Sequence, residues 1–482
     1  MIEKRIRDQL STAYESRVLI HDADAFSTVF DYVCLLATLG YKVIKYDDVE
    51  SFRYLYETEI KQSDIRIAVI AENHHFISYD IRNAFYEVSL SLETVYPRLN
   101  AAALRKHLSD LALIDYAYDT LYADAKAEKQ TEHFISQTAL STENIKQFVT
   151  MSDALLAEAT QNASSPADWI SIAKQNAKLE VYAASIGLER QQGVINECFK
   201  AFVLDGYQKL SGIISKDAPS ILPKAIDMLA GGKVALIVAD GMSLFDFEIL
   251  SRSLSDFNFD FNCSFALIPT TTSISRQSLL SGKYPQQLEN PFSLAKEESG
   301  FIDAGIAHGY TKQQCFYGRG YEALPGPLVK FASIILNDID DMVHGQKQGR
   351  QGMFNDVSLL SKSGSIQALM TYLLDKGFSV YLTSDHGNTC CLGCGSLKRT
   401  GVETETKSKR MLVLKDFADV SDDLADRMMV YPGYYMDKSF QYLICKGNTS
   451  FDNKNEIVMT HGGITLEEVI VPFVKIRRKN NG

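Results

Sequence analysis

Five short stretches in the second half of this 482-residue chain carry side chains that can do chemistry. Asp240-Gly241 closes the apolar run 233–240 (KVALIVAD), which puts the carboxylate at the end of a buried strand beside a residue that permits a tight turn. Pro269-Thr270-Thr271-Thr272-Ser273 gathers hydroxyls ahead of a helical pattern, where helix capping is their commonest use. In Asp340-Asp341-Met342-Val343-His344 an acid and a histidine stand four apart, on one face of a helical turn, as a chelating pair requires. A second buried run, 378–384 (FSVYLTS), ends in Asp385-His386-Gly387, and His461-Gly462-Gly463 precedes ITLEE and another apolar strand. Each feature alone has an ordinary structural explanation. Together, three aspartates and three histidines supply oxygen and imidazole donors for two cations of zinc type, with open positions left for substrate. That is the inventory of a two-metal hydrolase.

The elements that must position these groups follow from hydrophobic patterning. The continuous apolar runs suit central parallel strands covered on both faces, and from 231 onward strands and helices alternate. The first hundred residues also read as strand, helix, strand, helix, strand: RVLIHD, then 41–47, then 65–71. His21, Asp22 and Asp24 fall at the end of the first of these strands, and the pattern looks like a response-regulator receiver. Between them the sequence is almost wholly helical, with Ser165-Pro166-Ala167-Asp168 as a helix start. The expected organisation is therefore α/β, in three parts: 1–99 small receiver-like domain, 100–230 helical bundle or spacer, and 231–482 catalytic domain with a central, mostly parallel sheet.

Composition narrows the setting. Hydrophobic residues make up 46% and charged residues 23%, as in folded globular chains. No apolar stretch is long enough for a membrane helix, and the first ten residues lack the apolar core of a secretory signal, so a cytoplasmic protein is expected. Eight scattered cysteines fit reduced, structural thiols. A net charge of −11 repels polyanions at long range, so such a substrate must be drawn in by a local patch or by bound metal.

The order Asp240, Thr272, Asp340/His344, Asp385/His386, His461 resembles the alkaline phosphatase superfamily. IPTTTSISRQSLLSG, NDIDDMVHG, TSDHGN and THGGITLEEVIVPF resemble the PglZ domain within it, over residues 233–476. The resemblance implies that Asp340, His344 and His461 hold one metal, while Asp240, Asp385, His386 and the Thr272 hydroxyl hold the other. Asp341 replaces Asp340 if the turn is rotated. Thr272 is preferred as the nucleophile because its spacing to Gly282 and Pro285 resembles that of the nucleophile in related phosphodiesterases, with Thr270 and Thr271 left as alternatives. The two ions are taken as zinc, with manganese or magnesium also suited to carboxylates. The implied activity is a phosphodiesterase acting on nucleotides or nucleic acid in BREX-like bacterial phage defence, alongside other proteins of the defence system. The alternatives are a phosphatase or phosphomutase acting on a small metabolite, and a catalytically silent scaffold.

Arg276, a helical turn beyond Thr272, is placed to hold a phosphate oxygen or else to form an ordinary salt bridge. Lys398, Arg399, Lys407, Lys409 and Arg410 form a basic stretch that reads as a solvated loop or a polyanion collector. Cys390, Cys391 and Cys394 lack a fourth zinc ligand, and His74, His75, His107 and His133 lack metal-like neighbours in the sequence.

Overall fold

The computed structural model describes the chain except for residues 1, 11–14, 25, 27–31, 47, 73–75, 122–123, 191, 397–407, 416–421 and 480–482. His74, His75, Lys398, Arg399 and Lys407 therefore lie outside the described residues. Internal contacts divide the chain into two units, Met1–Thr150 and Met151–Lys479. Among the described residues no helix is long and apolar enough to cross a membrane.

In the first unit β1 (Arg17–Asp22), β2 (Lys42–Lys45), β3 (Ile67–Glu72) and β4 (Tyr86–Leu90) form a parallel sheet in the order β2-β3-β1-β4. The parallel α/β character matches the alternating sequence pattern. The strand order does not match the 2-1-3-4-5 order of receivers, because β3 rather than β1 neighbours β2. The polar groups at the end of β1 are spent on structure. Asp22 accepts hydrogen bonds from the Phe26 N–H at 2.8 Å and the Tyr32 hydroxyl at 2.7 Å. Asp24 accepts from the Leu92 N–H at 2.7 Å and Arg105 Nε at 2.6 Å, and His21 Nε2 lies 2.7 Å from Glu87 Oε2.

The second unit is built on a six-stranded sheet in the order β6-β16-β9-β5-β8-β7. Its members are β5 (Val234–Ala239), β6 (Phe257–Phe265), β7 (Cys315–Arg319), β8 (Phe331–Leu336), β9 (Ser379–Thr383) and β16 (Ile470–Arg478). β7, β8, β5 and β9 run parallel, and β16 pairs antiparallel with both β9 and β6. β5 and β8 are buried along their whole length, which is why VALIVA and FASIIL show no polar alternation. Two three-stranded sheets lie between β9 and β16 in sequence. One joins β10 (Thr389–Gly393), β14 (Thr449–Ser450) and β15 (Ile457–Thr460), and the other β11 (Met411–Lys415), β12 (Met428–Tyr431) and β13 (Phe440–Cys445).

Helix α1 (Pro166–Ser185) starts where the sequence pattern places it. Ser165 accepts from the Asp168 N–H at 3.2 Å, and Asp168 accepts in return from the Ser165 N–H at 2.8 Å. α1 packs on α2 (Leu244–Arg252), the helix that follows β5, and so belongs to the same unit as the large sheet.

Candidate metal and nucleophile site

The sheet presents the carboxyl ends of its parallel strands on one edge, and the chain places its acids there. Asp240 follows β5 directly, Asp385 comes just after β9, and Asp340 lies in α4 (Asp338–Gly345), the helix after β8. Thr272 is the first residue of α3 (Thr272–Ser281), which follows β6, and His461 follows β15 of the small sheet. Loops at this edge of open α/β sheets are where ligands collect, since the strands fix their starting points rigidly.

Six groups converge as two triads. Donor atoms of Asp340, His344 and His461 all lie within 4.8 Å of one another, as do those of Asp240, Asp385 and His386. In the first triad His344 Nε2 is 3.4 Å from Asp340 Oδ2 and His461 Nε2 is 3.5 Å from Asp340 Oδ1. In the second, His386 Nε2 is 3.8 Å from both Asp240 Oδ1 and Asp385 Oδ2. The triads meet through the stacked rings of His386 and His461, whose centroids are 4.2 Å apart. Asp341 is exposed, and α4 turns Asp340 inward in its place.

Three observations fit this donor set to divalent cations. First, Asp240 Oδ1, Asp340 Oδ1 and Asp385 Oδ2 are buried without a hydrogen-bond partner among the described residues, an arrangement that costs free energy unless a cation completes it. Second, His386 Nδ1 donates to the Gly387 carbonyl at 3.0 Å and His461 Nδ1 donates to the Thr270 carbonyl at 2.9 Å. Those bonds hold the ring protons on Nδ1 and leave Nε2 bare toward the acids, the usual way a ligating imidazole is oriented. Third, the backbone is shaped around the groups. Gly241 has φ 71°, and a Cβ there would come within 3.3 Å of Asp340 Oδ1; a Cβ on Gly387 would come within 1.9 Å of the Glu467 carbonyl.

The electrostatics agree. Burial, with the nearby Asp385 carboxylate, pushes Asp240 up to about 8, and burial raises Asp385 to about 6. Asp340 is also buried, yet the hydrogen bond from His344 and the charges of the surrounding histidines hold it below the usual carboxylate range. Burial and the neighbouring His386 lower His461 to about 4, so its ring is neutral and able to ligate near neutral pH. The hydrogen bond to Asp340 raises His344.

A titration follows from these directions. Burial and the neighbouring carboxylates make Asp240 hold a proton more tightly than a free acid, and a cation bound there would need the carboxylate, so binding would expel protons. Affinity should rise as pH increases toward about 8. Calorimetric titration with zinc or manganese, in buffers of different ionisation enthalpy, should detect proton release at about pH 6.5 that fades above pH 8. Affinity independent of pH across that span would refute the assignment of Asp240 as a ligand.

The three threonines separate by what they touch. Thr270 Oγ1 donates to the Gly463 carbonyl at 3.1 Å and accepts from the Gly462 N–H at 3.0 Å, fastening the turn that carries His461. Thr271 is the N-cap position of α3. Thr272 Oγ1 lies 3.0 Å from His386 Nε2, at the positive end of a ten-residue helix.

Arg276 is placed differently from the expected phosphate contact. Its side chain is 2% exposed, its Nη1 pairs with Asp240 Oδ2, and its Nε lies 3.1 Å from Glu297 Oε1. It is buried between two carboxylates, with Nη1 on Asp240, so it is placed to steady Asp240 from behind. Arg410 is fully buried with its Nε 3.1 Å from Glu468 Oε1, so it is not part of a solvated basic loop, whereas Lys409, which pairs with Asp452, is exposed as such a loop residue would be. Glu468 in turn accepts from the Gly463 N–H at 2.8 Å and the Thr465 N–H at 3.0 Å. Sequence reading missed this Arg410–Glu468 pin. Its one visible signal is Thr465-x-x-Glu468, a capping-box spacing directly after His461. Of the cysteines, Cys391 lies against Arg410 and Cys394 Sγ is 3.0 Å from the Ser450 carbonyl.

A mostly parallel α/β sheet that brings two Asp/His triads and a helix-terminal threonine to its carboxyl edge is the architecture of an alkaline phosphatase-like hydrolase domain. Residues 325–476 match the family described as the BREX system PglZ alkaline phosphatase-like domain. Asp340, His344, Asp385, His386 and His461 lie inside the matched stretch, whereas Asp240 and Thr272 precede it and reach the site through β5 and α3. Murine ectonucleotide pyrophosphatase/phosphodiesterase 5 is similar over 50% of this chain and 88% of its own, with 11% identity and a TM-score of 0.36. Phosphonoacetate hydrolase from Sinorhizobium meliloti 1021 is similar over 52% of this chain and 91% of its own, with 11% identity and a TM-score of 0.33. No curated protein matches the sequence.

Proposed function

We propose that this chain is a two-metal phosphodiesterase in which Thr272 attacks phosphorus, with nucleotides or nucleic acid as the substrate class. The observation that carries the reading is the Thr272 hydroxyl, 3.0 Å from His386 Nε2 and beside two triads whose carboxylate oxygens lack partners. Asp340, His344 and His461 would hold one divalent ion, and Asp240, Asp385 and His386 the other; zinc suits the three imidazoles, and manganese or magnesium the three carboxylates. Such a pair supplies Lewis acidity that makes a hydroxyl nucleophilic near neutral pH and offsets charge on phosphoryl and leaving oxygens.

The chain's own groups do the rest. The start of α3 holds Thr272 Oγ1 at the cluster and adds the partial positive charge of a helix N-terminus where the phosphoryl oxygens gather. Attack forms a phosphothreonine ester and expels the leaving alcohol or nucleotide; hydrolysis of that ester restores the hydroxyl. Arg276 and Glu297 keep Asp240 oriented through both steps. His344, the most exposed ligand, has 59% of its side chain accessible and marks the side from which substrate enters.

The family description names a BREX system, which supports a role alongside that system's other proteins; phage defence and a cytoplasmic location belong to the same proposal. Bis-p-nitrophenyl phosphate, dinucleotides and single-stranded oligonucleotides should be cleaved by metal-loaded protein, and chelation should remove the activity. Hydrolysis of a p-nitrophenyl monoester with no turnover of any diester would overturn the diester assignment and leave a small-molecule phosphatase.

A further inference from the structure

Asp240 turns Oδ1 toward His386 and Oδ2 toward Arg276, and from Arg276 charges of alternating sign lead outward. Arg276 Nε is 3.1 Å from Glu297 Oε1, and Glu297 Oε2 is 3.1 Å from Arg319 Nη2. Tyr317 ties the outer end: its hydroxyl donates to Glu297 Oε1 at 2.5 Å and accepts from Arg319 Nε at 2.9 Å. The side chains of Arg276 and Glu297 are each 2% exposed, whereas 47% of the Arg319 side chain is accessible. Glu297 opens the helix Glu297–Ala307, where an acid is ordinarily a solvated complement to the helix dipole. Here it is buried, with one oxygen facing each of two guanidinium groups.

A buried ion pair contributes little net stability, because desolvation offsets most of the attraction. Its influence on a neighbouring charge is larger, since the field crosses an interior that salt and water screen poorly. The second triad carries two carboxylates, Asp240 and Asp385. Arg276 by itself would cancel one of them and repel an incoming cation. Glu297 balances Arg276 and so returns to the triad the full attraction of its two acids. Burial works against the charge of Arg276, and Asp240, Asp385 and Glu297 more than restore it, which leaves the guanidinium a fixed positive charge near neutral pH.

We infer that Glu297 is a positioning residue that sets the affinity of the Asp240/Asp385/His386 triad for its ion by acting through Arg276, with Arg319 opposing it from the surface, a role that rests on the proposed two-metal site and not on diester chemistry. Removing the negative charge of Glu297 weakens that ion's binding. Removing the positive charge of Arg319 strengthens it. A merely structural role for this row would move both variants the same way.

Titration of the chelated full chain with zinc against a competing indicator tests this. The parent protein should take up two ions, and Asp385→Asn, which removes a ligand from the second triad alone, identifies the step that belongs to it. Glu297→Gln keeps the shape and loses the charge; it should weaken that step by at least about tenfold and the other by less, since the attraction falls with distance. Arg319→Gln should strengthen the same step by about two- to threefold at low salt, and about 0.5 M salt should erase the gain because Arg319 is exposed. If Glu297→Gln does not fold, Arg319→Gln decides alone: unchanged or weaker uptake at low salt overturns the assignment. So does a Glu297→Gln variant whose two steps weaken equally or not at all. A parent that binds fewer than two ions would overturn the two-metal site and this role together, whereas two bound ions without diester cleavage would overturn the proposed activity alone.

Discussion

Thr272→Ala is expected to lower the rate of diester hydrolysis by at least about 10³-fold while leaving the fold and metal content intact. The side chain forms no part of the core, and its hydroxyl lies 3.0 Å from His386 Nε2. Removing it deletes the proposed attacking atom without uncovering a buried charge. Both triads remain complete, so zinc uptake by elemental analysis and thermal unfolding should match the parent protein. Thr272→Ser, which restores a hydroxyl at the same place, should recover much of the rate. Thr270→Ala and Thr271→Ala are the controls: Thr270 fastens the His461 turn, so its loss should weaken metal binding instead of removing chemistry alone. Full activity in Thr272→Ala would end the nucleophile assignment.

Arg410→Met should cost about 3–5 kcal/mol of stability, the largest effect expected of a residue that touches no metal. Arg410 is 0% exposed and Glu468 is 0% exposed, so removing the guanidinium strands a carboxylate with nothing to balance it. Glu468 also anchors the N–H groups of Gly463 and Thr465, which set the turn beside His461. Two losses should therefore appear together: a lower midpoint in chemical denaturation, and weaker metal retention. The double variant Arg410→Met with Glu468→Gln removes the stranded charge and should recover part of the stability. If the single variant unfolds like the parent, the pair is not the pin described above.

How much of this was legible in the sequence depended on the kind of signal. The β5 and β9 runs announce buried parallel strands because their covered faces allow no polar residue, and the acids that end them are visible for the same reason. The spacing of Asp340 and His344 is a local helical fact and needs no tertiary information. For Arg276 the sequence leaves a phosphate contact and an ordinary salt bridge both open, and for Arg410 a solvated loop or a polyanion collector, because a charged residue in a helix or after a loop gives no hint of which way it turns. Their partners, Asp240, Glu297 and Glu468, lie 36, 21 and 58 positions away in the chain. Only packing brings them together. The order of the first sheet was hidden for a related reason: the alternation of strand and helix fixes parallel character but leaves open which strands become neighbours.

The place of β6 has a consequence for how an active molecule comes into being. β6 enters the large sheet through β16 alone, and some two hundred residues of sequence separate the two. Pairings that span so much chain form late, after shorter-range contacts have already condensed. During translation the strand that leads to Thr272 has no berth until residues 470–478 have left the ribosome. A partly made polypeptide thus carries its acids on a nearly finished platform but keeps the Thr272 hydroxyl undocked, so the proposed site is incomplete before synthesis has passed that point.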